Sequence, residues 1–162
     1  MNKPIQPLTA AAFAPFGDVI EAGPDARCFA INKGYTQRFH NLAQVDVTQN
    51  QGRAGISIFR STPLPAPVQI RLLERHPLSS QAFFPLSPRP YLVVVAPPGD
   101  LNEDNIQVFL AQSGQGVNYH AGTWHHFCLA LEAESDFLVV DRIGGGDNCD
   151  EVELKQPFTV VV

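Results

Sequence analysis

The sequence predicts an all-β barrel or sandwich preceded by one short helix. Two observations carry that expectation. Short runs rich in β-branched and aromatic residues recur at roughly 8–12-residue intervals, separated by turn formers. The 14 Pro and 12 Gly are spread along the whole chain and do not gather into a linker. A parallel α/β fold is excluded because the helices it needs between strands are missing.

Taken in order, Thr9 is placed to cap a helix over residues 10–14, which Pro15 and Gly17 stop. Strands are expected over residues 28–32, 37–47, 54–60, 68–76, 81–84, 91–96 and 106–112. Further strands are expected over 117–120, 125–131, 137–142 and 158–161. Breaks fall at Pro63-Leu64-Pro65, Ser87-Pro88, Pro97-Pro98-Gly99, Ser113-Gly114 and Gly144-Gly145-Gly146. Within 68–76 the period of two puts Ile70, Leu72, Glu74 and His76 on one face, with Arg71, Leu73 and Arg75 on the other. A face that starts apolar and ends in a carboxylate and an imidazole suits a barrel strand whose end lines a mouth.

The chain of 162 residues reads as a single domain over 1–162. A chain of this length buries roughly 70% of the surface its unfolded state exposes. It is 44% hydrophobic and 17% charged, with a net charge of −5 and no block of Lys or Arg. Without such a block it has nothing to track a phosphate backbone, so nucleic acid is excluded as a partner. Cys28, Cys128 and Cys149 are odd in number and far apart, which argues against a disulfide framework or a zinc knuckle. No apolar leader or membrane-length run is present, so a cytoplasmic protein with no membrane partner is expected.

The chemistry-bearing residues concentrate in two segments. Four of the five His lie in Glu74-Arg75-His76-Pro77-Leu78-Ser79-Ser80-Gln81 and Tyr119-His120-Ala121-Gly122-Thr123-Trp124-His125-His126. Glu74 and His76 point the same way from one strand, and Gln81 returns after the Pro77 turn. Gly122 supplies a tight turn that brings the strand of His120 against that of His125. One carboxylate, imidazoles and an amide oxygen together suit a first-row divalent metal. Glu74, His76, Gln81 and His125 are therefore the expected metal shell, with Ni, Mn or Zn as candidates. His126 alternates with His125 and is expected to be structural, and Trp124 to be barrel packing. Cys149, in a polar loop after three Gly, is expected to be inert.

These two segments resemble the paired motifs of the cupin superfamily. Glu74-x-His76-x4-Gln81 keeps the first motif's spacing with two residue types changed. His120-x-Gly122-x2-His125 keeps the second motif's Gly and His without its Pro. A closer resemblance, to the ureidoglycolate lyase family, covers nearly the whole chain. It runs from Pro7-Leu8-Thr9 and Ala12-Phe13-Ala14-Pro15-Phe16-Gly17-Asp18-Val19-Ile20 through Leu73-Glu74-Arg75-His76-Pro77-Leu78 and Ser80-Gln81-Ala82-Phe83. It continues through Gly116-Val117-Asn118-Tyr119-His120 and Trp124-His125-His126 to Asp136-Phe137-Leu138 and Asp147-Asn148-Cys149-Asp150.

The resemblance implies a cupin-like jelly-roll β-barrel, a homodimer, and cleavage of (S)-ureidoglycolate to glyoxylate and urea in allantoin and purine nitrogen degradation. That reaction needs a held carboxylate, a departing hydroxyl proton and a protonated urea nitrogen. Arg60 is the first candidate for the carboxylate, with Arg38 and Arg142 as alternatives. His120 is assigned as general acid and base, and Asn118 and Tyr119 as hydrogen-bond partners of the ureido group. The competing expectations are another metal-dependent cupin enzyme, an isomerase or dioxygenase, and a non-catalytic cupin that binds a small acid.

Overall fold

The computed structural model describes residues 3–162. Its elements in chain order are β1 (Ile5–Pro7), α1 (Ala10–Phe13), β2 (Gly17–Ile20), β3 (Cys28–Ile31), β4 (Thr36–Phe39), β5 (Arg53–Ser61), β6 (Val68–Arg75) and β7 (Gln81–Pro85). They continue with β8 (Tyr91–Ala96), β9 (Gln107–Ala111), β10 (Gly116–Tyr119), β11 (Trp124–His125), β12 (Leu129–Ala130), β13 (Ser135–Ile143) and β14 (Asp150–Val160). Thr9 caps α1 as expected, its side chain accepting a hydrogen bond from Ala12 N at 3.2 Å.

Two sheets build the barrel. One runs β1-β9-β8-β11-β6-β14, with β12 also on β8, and the other runs β2-β10-β7-β13-β5. Every pairing is antiparallel except β1 with β9. The chain adopts the expected all-β fold, with one short α-helix near the N-terminus. Strand β8 explains why the sheets hold together. All six of its residues are buried. Tyr91, Val93 and Val95 face the core shared with the second sheet, where Phe13, Phe109 and Phe137 pack. Leu92, Val94 and Ala96 face a second cluster with Trp124, Leu154 and Phe158. A strand buried on both faces needs a continuous apolar run, and Tyr-Leu-Val-Val-Val-Ala is one.

The structure corrects three expected strands. Residues 37–47 form a strand only as far as Phe39, and Asn41 has φ 54°. Beyond it the chain lies against the second sheet, and its backbone groups bind side chains in place of a ladder. Gln44 N donates to Asp18 Oδ2 at 3.2 Å and Asp46 N donates to Ser80 Oγ at 2.8 Å. The single strand expected over 125–131 is two short ones, β11 and β12, because residues 126–128 leave the ladder. The final strand is longer than expected and begins at Asp150.

Alternation along β6 also breaks. Ile70 and Leu73 are buried in one cluster, whereas period two separates them. The break coincides with a register shift, where the four residues of β14 between Glu153 and Phe158 stand opposite the single residue Arg71 of β6. A bulge of this kind re-aims the following side chains. The carboxylate of Glu103 holds it by accepting from Lys155 N and Gln156 N, at 2.6 and 2.9 Å. No helix among the described residues is long and apolar enough to cross a membrane.

Candidate active site

Strands β6 and β11 pair so that His125 lies directly opposite Glu74. Directly opposed residues share a face, so the pairing register, and not the sequence distance, brings this carboxylate and imidazole together. His76 follows one residue beyond β6, its ring centroid 5.1 Å from that of His125. Glu74, His76 and His125 each present a ligand atom within 4.8 Å of the other two. From the second sheet Tyr119 lays its ring flat on His125, centroids 4.1 Å apart and interplanar angle 1°.

The tautomers can be read from the acceptors. His76 Nδ1 is 2.7 Å from the backbone oxygen of Asn148, and His125 Nδ1 is 3.0 Å from that of His126. A carbonyl oxygen only accepts, so both Nδ1 atoms carry a proton, and in the neutral ring that leaves the lone pair on Nε2. Those two Nε2 atoms are buried without a partner, as is Gln81 Oε1. Glu74 Oε1 lies 3.9 Å from His76 Nε2. Two unpartnered imidazole nitrogens grouped with a carboxylate are the polarity a cation needs.

Electrostatics keep the His125 imidazole neutral. Burial, reinforced by His76, drives His125 down to about 3, so its 4.0 Å approach to Glu74 is not an ion pair. Burial raises Glu74 above its ordinary value, with His76 opposing the rise. Its other oxygen, Oε2, meets the Cys149 thiol at 3.8 Å. Burial and the neighbouring Glu74 hold that thiol above its ordinary value, so it stays protonated as the donor. Tyr119 is likewise raised by burial, and its hydroxyl stays protonated.

Not every residue singled out in the sequence joins this cluster. Asn118, Tyr119 and His120 are consecutive, and strand alternation separates them. Tyr119 faces the barrel interior, while Asn118 and His120 turn to the other side. There Asn118 donates to Asp18 Oδ2 at 3.0 Å and Gln44 O at 2.9 Å, and His120 Nε2 lies 3.4 Å from Asp18 Oδ2. Arg60 is on the outer surface, forked onto Asp136 at 2.8 and 3.0 Å and two-thirds exposed. Arg38 sits on the exposed β4. Arg142 donates to the backbone oxygens of Gln49, Asn50 and Gly145. None of the three candidate guanidinium groups reaches the cluster. Cys149, expected to be inert, stands against Glu74, and Asn148, part of the block that carried the family resemblance but given no role there, is at the cluster through its backbone carbonyl.

A family model described as ureidoglycolate lyase matches residues 2–161. The chain belongs to the ureidoglycolate lyase family. Curated family members named ureidoglycolate lyase share much of its sequence. That of Pseudomonas syringae pv. tomato is 57% identical over 149 residues, 91% of this chain and 86% of that protein. One from Burkholderia mallei is 53% identical over 152 residues, covering 94% and 89% of the two chains. Among solved structures, Bacillus subtilis oxalate decarboxylase, described with Mn(II) centres, matches with a TM-score of 0.43 at 13% identity. That match covers 68% of this chain and 27% of the other. As a member of the ureidoglycolate lyase family, the chain brings Glu74, His76 and His125 together where the end of β6 meets β11.

Proposed function

We propose that this chain cleaves (S)-ureidoglycolate to glyoxylate and urea in allantoin degradation, as a cytoplasmic homodimer whose site takes a divalent Ni, Mn or Zn ion. Family membership supports the reaction. The single site observation that supports it is the pair of buried, unpartnered imidazole nitrogens, His76 Nε2 and His125 Nε2, on rings grouped with the Glu74 carboxylate. Two imidazoles, a carboxylate and an amide oxygen suit such an ion, and Glu74, His76, Gln81 and His125 would hold it. When bound, the ion supplies Lewis acidity toward the substrate's carboxylate and α-hydroxyl oxygens.

The residues do the rest. Ureidoglycolate is a hemiaminal, so the hydroxyl loses its proton as C=O forms, the C–N bond breaks, and the leaving nitrogen gains a proton. No water is consumed. Glu74 has the burial-raised carboxyl suited to carrying that proton, on Oε2, the oxygen facing the Cys149 thiol. Tyr119, kept protonated, offers its hydroxyl as a donor to the ureido carbonyl. Dimerisation is supported by the outer face of edge strand β5, where Ile56 and Ile58 are 74% and 59% exposed.

The experiment supplies racemic ureidoglycolate and assays urea against ammonia, correcting for spontaneous decay. The expected product is urea, stoichiometric with glyoxylate and limited to half the racemate. Stoichiometric ammonia would reject the lyase reading.

A further inference from the structure

We propose that Asp141 is a positioning residue that fixes the orientation of the Gln81 amide, so that its oxygen and not its nitrogen faces the site. This inference rests on the reading of Glu74, His76, Gln81 and His125 as a cation shell. The two faces of an amide differ only in which end donates, so an isolated Gln presents either one. Here Gln81 Nε2 donates to Asp141 Oδ2 at 3.0 Å. The Asp141 oxygen accepts this bond, so the NH2 points at it and Oε1 points away. Oε1 is the buried atom left without a partner.

Strand register makes the arrangement rigid. Tyr119 pairs with Gln81, and Ala82 pairs with Val140, so Gln81 stands opposite Asp141 on the next rung. Tyr119, Gln81 and Asp141 therefore form one row across β10, β7 and β13 on a single face. The row begins at the ring stacked on His125. On its far side Asp141 pairs with Gly55, which has no side chain to compete for the carboxylate. The row gives the amide a donor-only and an acceptor-only direction. The buried carboxamide thereby offers an oxygen ligand that carries no charge of its own.

The test measures Ni2+ affinity of tag-free, metal-stripped protein by calorimetry, alongside kcat and KM. Asp141→Leu removes the acceptor and is expected to weaken Ni2+ binding about 10-fold or more, the usual cost of losing an outer-shell partner. Gln81→Glu places two carboxylates side by side and is expected to weaken binding or unfold the protein. Adding Asp141→Asn to Gln81→Glu restores a donor–acceptor pair and is expected to recover affinity to the wild-type level or above. Asp141→Leu binding within twofold of wild type would overturn the proposal. So would Gln81→Glu affinity that does not depend on residue 141, and this comparison decides the matter where Asp141→Leu fails to fold. A His76→Ala/His125→Ala variant separates the two readings. If it binds Ni2+ like wild type, the cation shell itself fails. If it loses Ni2+ while Asp141→Leu does not, only the role of Asp141 fails.

Discussion

The Nδ1–H of His76 donates to the backbone oxygen of Asn148 across 2.7 Å, tying the candidate metal centre to the loop that follows the triple glycine. The Asn148 side chain fastens the same loop from the other direction. Its Oδ1 accepts from Leu78 N at 2.8 Å and its Nδ2 donates to Ser79 Oγ at 3.0 Å.

Asn148→Ala removes both side-chain bonds while leaving the carbonyl that orients His76. The expected outcome is a mobile loop and metal affinity lowered by about 10-fold or more, with the barrel still folded. Calorimetric metal titration and a thermal melt check it together. Unchanged affinity would mean that the loop does not depend on this residue to hold the imidazole.

Arg60 and His120 are predicted to be dispensable, because neither faces the cluster. Arg60 is spent on Asp136, whose carboxyl it holds below the ordinary value by hydrogen bonding. His120 faces Asp18. Arg60→Ala and His120→Ala should each keep kcat/KM within about threefold of wild type, well below the 10²–10⁴-fold contribution of a general acid or base. A hundredfold loss in His120→Ala would place that imidazole in the proton path after all.

Stability of the metal-free protein should fall as pH drops from about 6.5 toward 3. His125 is held down to about 3 by burial, and burial also lowers His126. Below pH ~6.5 the unfolded chain protonates both rings, while the fold keeps His125 neutral down to about 3 and disfavours the charged form of His126. The unfolded state then binds more protons, so unfolding stability declines as pH falls, by at most about 1.4 kcal/mol per pH unit for each ring. Glu74, raised by burial, works in the opposite sense just above 4.5. Urea midpoints at several pH values check the slope, and His125→Phe should flatten it. A flat profile in the wild-type protein would contradict a neutral buried His125.

Much of the fold was legible because its signals are local. The Thr9 cap depends on one hydroxyl and the turn above it. Strand β8 was placed at its observed bounds because six apolar residues flanked by proline turns admit little else. The loop over 40–47 was not legible. Its residues have strand-like composition, and what removes them from a ladder is the distant Asp18 and Ser80 competing for their backbone groups.

The sequence by itself determined the β fold, the family, and the grouping of Glu74, His76 and His125, since periodicity and spacing are properties of neighbouring residues. Only the tertiary structure decided which atoms of that group face inward. Nε2 is freed on His76 and His125 because carbonyls at Asn148 and His126 take the other nitrogen. Tyr119 is divided from Asn118 and His120 by the pleat of β10, and Arg60 is removed to the outer surface by its pairing on β13. Hydrogen-bond partners and sheet faces are set by strands that meet far apart in the chain, so they exist only once the two sheets have closed.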